Sequence, residues 1–293
     1  MRSLTFIGLP LSTRSDNSGM ADAVSTLREA GLITTLRRLA ASFTDAGDVP
    51  LTKISTDTGP KNLANFTTFL QDTKRIQSAV AGVDPEGLLF ALGGDCSICV
   101  GTLAGLKARI DGEAGVVWVD AHGDFNTPET TPSGYIGGMC LAMACGRGPE
   151  LDEAIRDTGG LLREENVVHL ASRSLDPAES RSMSSSPIKI YPVSVLHRDG
   201  VAATADAAIS KLAERCDWIL CHLDVDSLDP TIIPAVNFPE PNGLTLEETK
   251  AIVDSVKATR KLKLLELTAY NPGLDPARTT ATKLIELTSN LLG

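Results

Sequence analysis

The segment Asp120-Ala-His122-Gly-Asp124-Phe-Asn126 gathers two carboxylates and an imidazole within five residues, directly after the apolar run 115–119. Charged groups collected at the end of a buried strand are costly unless something neutralises them. A bound cation does so, and clusters of His and Asp are typical metal ligands. A helix cap with solvated loop charges would account for one such Asp, but poorly for Asp-x-His-x-Asp.

A second segment, His222-Leu-Asp224-Val-Asp226-Ser-Leu-Asp229-Pro230, follows the apolar run 218–221. In extended backbone Asp224 and Asp226 share one face, where they repel unless a cation lies between them. Asp229-Pro230 reads as a turn, so Asp229 is expected to be structural. His222 has the parity of the two aspartates and is expected in the core or behind the site. A third segment, Gly93-Gly94-Asp95-Cys96-Ser97, ends the run 88–92 and opens a helix. The glycines permit a sharp turn, and Asp95 fits a helix cap. Cys96 then sits at a helix N-terminus, where a thiolate is favoured, and is expected to bind metal. Cys99 is expected to pack inside the helix; a Cys96–Cys99 redox switch is a minor alternative. Asp120, Asp124, Asp224, Asp226, His122 and Cys96 together suffice for two divalent cations bridged by carboxylates. Oxygen-rich ligation with one imidazole suits Mn2+, while a thiolate accommodates Zn2+ or Fe2+. Such a pair lowers the pKa of the water between its ions.

These side chains need a rigid frame. Short apolar runs predict strands at 3–8, 88–92, 115–119, 166–170, 188–191, 218–223 and 262–267. Helices are expected at 21–30, 97–108, 201–214, 245–258 and 277–292. Alternation of fully apolar strands with helices indicates a parallel sheet covered on both faces. The stretches 123–138 and 230–243, rich in Gly, Pro and Thr or Pro alone, are expected to be loops at the carboxyl ends of strands, where such folds place their sites. The serines 182–186 read as a loop. No repeat or linker composition divides the chain, so one domain over 1–293 is expected.

The chain has 293 residues and a formal net charge of −10, from 37 acidic and 27 basic residues. That balance argues against a nucleic-acid partner, which would favour a basic face. No apolar run approaches the ~18–20 residues of a membrane span, and residues 1–10 lack the pattern of a secretory signal. Six cysteines in this length are too sparse for a disulfide scaffold. Reduced thiols and a cytoplasmic location are expected.

Over 88–272 the three segments, in order and with comparable spacing, resemble the ureohydrolase family of arginases, agmatinases, guanidinobutyrases and formimidoylglutamases. The resemblance implies a three-layer α/β/α sandwich with a mainly parallel sheet, two Mn2+ ions, and a homo-trimer or homo-hexamer acting on a small-molecule substrate. It implies that Asp120 and Asp224 bridge the metals, that Asp124 and Cys96 complete one and His122 and Asp226 the other, and that Asp124 is catalytic. Asn126 and Ser133 match residues holding an amino-acid carboxylate. Asp176, in Arg173-Ser-Leu-Asp176-Pro177, matches a contact near a substrate amino group, with Glu179 a weaker candidate; a helix-cap role for Asp176 is the alternative.

Three positions depart from the family pattern. Cys96 stands where the family carries His, Gly137 replaces a loop His, and Ala269, in Ala269-Tyr-Asn-Pro272, replaces the Glu that holds a guanidinium. Glu266 lies three residues earlier and should face the other way in a regular strand. The stretch 123–131 also resembles the branch that hydrolyses N-hydroxyarginine. The reading is a binuclear-metal hydrolase that cleaves a linear amidino, guanidino or N-hydroxyguanidino C–N bond through a metal-bridging hydroxide. The alternative is a non-catalytic relative with an impaired metal site.

Overall fold

The computed structural model describes residues 3–84, 86–151, 155 and 160–293. Its frame is one sheet of eight strands: β1 (Ser3–Leu9), β2 (Ser42–Asp48), β3 (Leu88–Gly93), β4 (Ala114–Val119), β5 (Val167–Leu170), β6 (Lys189–Tyr191), β7 (Trp218–Asp224) and β8 (Leu262–Thr268). The order across the sheet is β2-β1-β3-β8-β7-β4-β5-β6, and every pairing is parallel. All seven expected strands are present, each with one end shifted by a single residue. Parallel neighbours need crossover connections, which the helices supply.

The helices are α1 (Ala23–Glu29), α2 (Leu32–Leu39), α3 (Phe66–Ala81), α4 (Ile98–Lys107) and α5 (Cys140–Ala144), then α6 (Pro177–Ser184), α7 (Val193–Asp199), α8 (Val201–Ala213), α9 (Leu246–Ala258) and α10 (Thr279–Leu292). Strand side chains alternate between two cores. Phe90, Val117, Ile219 and Leu265 pack with α1, α2, α8, α9 and α10. Leu89, Val116, Leu220 and Leu264 pack with α3, α4 and α5. The result is a three-layer α/β/α sandwich, and the strands carry apolar residues at successive positions because both faces are covered.

Three expectations need correction. The helix expected over 21–30 begins at Ala23, after a 3-10 turn over Ser18–Asp22. The serines 182–186 are not all loop, because α6 extends through Ser184. Asp224 and Asp226 do not lie in one extended run: β7 ends at Asp224 and a 3-10 turn, Val225–Ser227, follows. The chain bends there because the Asp224 carboxylate accepts the Asp226 backbone N–H at 2.6 Å.

The connectivity prepares the site. Strands β3 and β4 follow one another in the chain but leave a gap of two places in the sheet, which β8 and β7 fill. The carboxyl ends of β3, β8, β7 and β4 therefore lie side by side, at the edge where α/β sheets hold their ligands.

Candidate metal centre

At that edge lies a cavity of about 300 Å³, lined by Cys96, His122, Asp124, Asn126, Ser133, Asp176, Asp224, Asp226 and Ala269 among others. Of the expected site residues only Asp120 is not on its wall. It lies just beneath, buried, accepting the His122 backbone N–H at 2.7 Å and the Trp118 indole N–H at 3.1 Å.

Two groups of potential ligands form. The ligand atoms of Asp120, His122 and Asp226 lie within 4.8 Å of one another, as do those of Cys96, Asp120 and His222. His122 Nδ1 is 3.2 Å from Asp226 Oδ2 and 3.5 Å from Asp120 Oδ1. Asp224 joins the groups: its Oδ2 accepts from Cys96 Sγ at 2.8 Å, and its Oδ1 from the Asp226 N–H. The thiol groups with Asp120 and His222, and the charge of Asp124 also reaches it. Asp124 stands nearer the loop, where Cys140 Sγ approaches its Oδ2 at 3.6 Å. Its backbone has φ 50, a left-handed value that an Asp tolerates better than most residues but that still stores strain.

The electrostatics are those of a site short of positive charge. Burial, then the charge of Asp120, holds the Asp124 carboxyl well above its usual range. Burial, then Asp226 and Asp120, does the same to Asp224. Burial and the charge of Asp224 push the Cys96 thiol up. Burial alone would lower the pKa of His122, but the charge of Asp226 and bonds to Asp120 and Asp226 raise it to about 12.

Around this centre the loops are braced. Glu179 is buried and accepts the backbone N–H of Phe125 at 2.8 Å and of Asp176 at 3.1 Å, tying the loop after β4 to the start of α6. Burial raises its pKa to about 7. Arg173 donates to carbonyl oxygens on both sides of the 226–241 loop, including Asp226 and Glu240 at 2.8 Å each. Asp229 is structural, as expected, accepting from Thr231 and from the Gly243 N–H. Asn126 is not free: its amide donates to Asp176 Oδ2 at 3.0 Å and its oxygen accepts from Thr130 at 2.9 Å. Ser133 sits exposed on the rim, where its carbonyl accepts from Arg14 at 3.2 Å.

The sequence reading missed other lining residues: Arg14, Asp16 and Asn17 from the loop after β1, and Tyr135, Asn237 and Phe238. Phe238 is 44% exposed and lies over His122 and beside Tyr135, with ring centroids 6.0 and 5.8 Å apart. An aromatic residue in a proline-rich loop was the available signal. Glu266 faces away from the cavity, as its strand parity required, and bonds His222 Nδ1 at 2.7 Å. Ala269 does face the cavity, from a backbone with φ 71 whose N–H donates to the Gly94 carbonyl at 2.7 Å.

A parallel α/β sheet that gathers carboxylates, a half-buried imidazole and a thiol at its carboxyl edge has the arrangement of a metal-binding site. The arginase family model matches residues 2–293. The arginase of Bacillus caldovelox is 34% identical, over 100% of this chain and 99% of that one. Its native structure superposes with a TM-score of 0.91 over the same shares. The arginase of Bacillus subtilis strain 168 is 33% identical over 100% of this chain and 98% of its own. An Entamoeba histolytica arginase, solved with L-ornithine, is 28% identical with a TM-score of 0.91, covering 99% of this chain and 98% of that one. The chain belongs to the arginase family. It is a ureohydrolase, a hydrolase acting on linear amidines.

Proposed function

We propose that this ureohydrolase holds two divalent cations and hydrolyses a guanidino or N-hydroxyguanidino C–N bond of a small, amine-bearing substrate. The observation that carries the reading is the cluster of four buried aspartates, buried Cys96 and half-buried His122 at one cavity, with Asp120 just beneath its floor. The donor set fits the ions: carboxylates that repel one another need cations, and two ligand groups share Asp120. Asp120 and Asp224 would be shared between the ions, as bridging requires. When bound, the two ions would activate water and polarise the planar carbon.

The chain's own residues do the rest. Asp124, on the cavity wall, would take a proton from the attacking water and deliver it to the leaving amine nitrogen. Glu179 fixes the Asp124 loop through the Phe125 N–H. Asp176, held by Asn126, and Ser133 on the rim face the substrate's amino-acid end. The wall at Ala269 offers no carboxylate to a guanidinium. An N-hydroxyguanidine, which has a lower pKa and relies less on an ion pair, therefore fits this cavity better than arginine.

A cytoplasmic location and assembly as a homo-trimer or homo-hexamer belong to the same proposal, supported by the family likeness. No described helix is long and apolar enough to cross a membrane. The test joins metal content by plasma mass spectrometry to hydrolysis of N-hydroxyarginine, arginine and agmatine by the loaded enzyme. The expected result is two ions per chain and the highest kcat/KM on the hydroxyguanidine. One ion or none after loading, or no turnover of any guanidino compound, would overturn the reading.

A further inference from the structure

Strands β5, β4, β7 and β8 carry a polar row at one level of the sheet: His169 opposite Trp118, Trp118 opposite His222, and His222 opposite Glu266. The row faces the α4 layer, directly beneath the carboxylates. An imidazole with no exposed surface, such as His222, must have both ring nitrogens satisfied or forfeit the free energy of their hydration. Nδ1 is satisfied by Glu266 Oε2 at 2.7 Å, and Glu266 is itself held by a hydrogen bond from Thr102. Nε2 has only a long contact, 3.4 Å to Thr268 Oγ1. That distance lies beyond the ordinary range of an N–O hydrogen bond.

The same Thr268 hydroxyl is 3.3 Å from Cys96 Sγ, so Nε2 and the thiol converge on one point. The ring plane is fixed as well: Trp118 stacks on His222 with centroids 3.7 Å apart and planes 10° from parallel. Trp118 also donates to Asp120, so a single indole positions two neighbours of the thiol. A carboxylate on one imidazole nitrogen and an open second nitrogen beside a thiol and a carboxylate is the arrangement of a supported metal-binding histidine.

We infer that His222 is a metal ligand, and that with Cys96 and Asp120 it makes one of the two cation sites a thiolate–imidazole site selective for Zn2+ over Mn2+. The inference rests on the binuclear reading above and adds a ligand to it. Sulfur and nitrogen donors favour Zn2+, whereas oxygen donors suit Mn2+. The other site, around His122 and Asp226, keeps its oxygen-rich character.

Cobalt is a spectroscopic substitute that reports each donor separately. The cobalt-loaded protein is expected to show a thiolate-to-cobalt charge-transfer band from Cys96. It should also show one slowly exchanging, contact-shifted N–H proton resonance, from His222 Nδ1–H shielded by Glu266. His222→Gln should lose that resonance, keep the band and bind its ion at least ~10-fold more weakly, the low end of what loss of supporting contacts alone costs. Glu266→Gln should keep the resonance in altered position and weaken the same ion by ~10–100-fold. In a mixture of Mn2+ and Zn2+, the wild type should retain one equivalent of Zn2+. Two bound cobalt ions without the shifted N–H resonance would overturn the role of His222 and leave the binuclear reading standing. Retention of two Mn2+ ions against equimolar Zn2+ would overturn the selectivity. No bound cobalt at all would overturn both readings. The resonance is read on the wild type, so the inference stays open to refutation even if His222→Gln does not fold.

Discussion

Replacing Asp224 by Asn separates what the site costs the fold from what it gains with metal. Asp224 is buried, accepts from Cys96 Sγ through one oxygen and from the Asp226 N–H through the other, and faces the charges of Asp226 and Asp120. An amide keeps the acceptor for the Asp226 N–H and turns its NH2 toward the sulfur, and it cannot ionise beside Asp226 and Asp120. The metal-free Asp224→Asn protein should therefore unfold at the wild-type temperature or above it. Its response to metal should fall. A site filled at about 100 times its Kd adds about 2.7 kcal/mol, so two sites add about 5.4 kcal/mol, or about 10 °C for a chain of this size. On the binuclear proposal the variant loses a carboxylate common to both ions, and it should then gain less than half of that.

The pH dependence has a definite sign. The Asp224 carboxyl is raised in the folded state, so the native protein holds a proton that the unfolded chain has released. Metal-free stability consequently falls as pH rises from about 4, the ordinary carboxylate pKa, toward the folded value, and Asp224→Asn flattens that fall. Thermal melts of both proteins, stripped and metal-loaded, across pH read all of this. A variant that keeps the full metal increment, or a metal-free variant clearly less stable than wild type, would refute the reasoning.

Ala269→Glu places a carboxylate on the cavity wall from a backbone already at φ 71. One charge-assisted bond of about 1.5–3 kcal/mol should raise kcat/KM for arginine or agmatine by ~10–100-fold, and no gain with both ions retained would exclude that wall as the guanidinium contact. Arg173→Ala removes the guanidinium that bridges the Asp226 and Glu240 carbonyls. Denaturant unfolding should show a loss of about 2–4 kcal/mol; a loss under ~0.5 kcal/mol would mean that the loops hold without it. Glu179 has a pKa raised by burial to about 7 against an ordinary 4.5, so its contribution to stability declines between those two pH values. Glu179→Gln should abolish that decline in metal-free melts and lower kcat through the loosened Phe125 loop; an unchanged pH slope would contradict the shift.

Much of the sheet was legible because doubly covered strands announce themselves as unbroken apolar runs. Edge strand β2 was not, since Ser-Phe-Thr-Asp-Ala-Gly-Asp is largely exposed and reads as a loop. Helix α3 escaped notice because two of its buried positions are Asp72 and Thr73, which break the apolar stripe. The clustering of Asp120, His122, Asp224 and Asp226 was readable from carboxylates placed after strand-like runs. How Asp226 reaches the cluster was not, because strand parity cannot foresee a 3-10 turn made by the Asp224 side chain. The meeting of His222 with Glu266 depends on which strands are neighbours, and strand order leaves no trace in local sequence. Parity did place Glu266 off the cavity, and the bond to His222 explains why a carboxylate is tolerated there.

The two-strand gap between β3 and β4 also sets when the centre can come into being. Cys96 and Asp224 touch across 128 residues of chain, and they meet only after β7 and β8 have threaded between strands laid down much earlier. Contacts of such long range form late and slow the folding of the whole. A cation site built on such contacts is expected to form late in folding. Metal added during refolding should leave the folding rate nearly unchanged and act instead by slowing unfolding. Metal occupancy would then measure kinetic persistence, marking molecules that have completed their sheet.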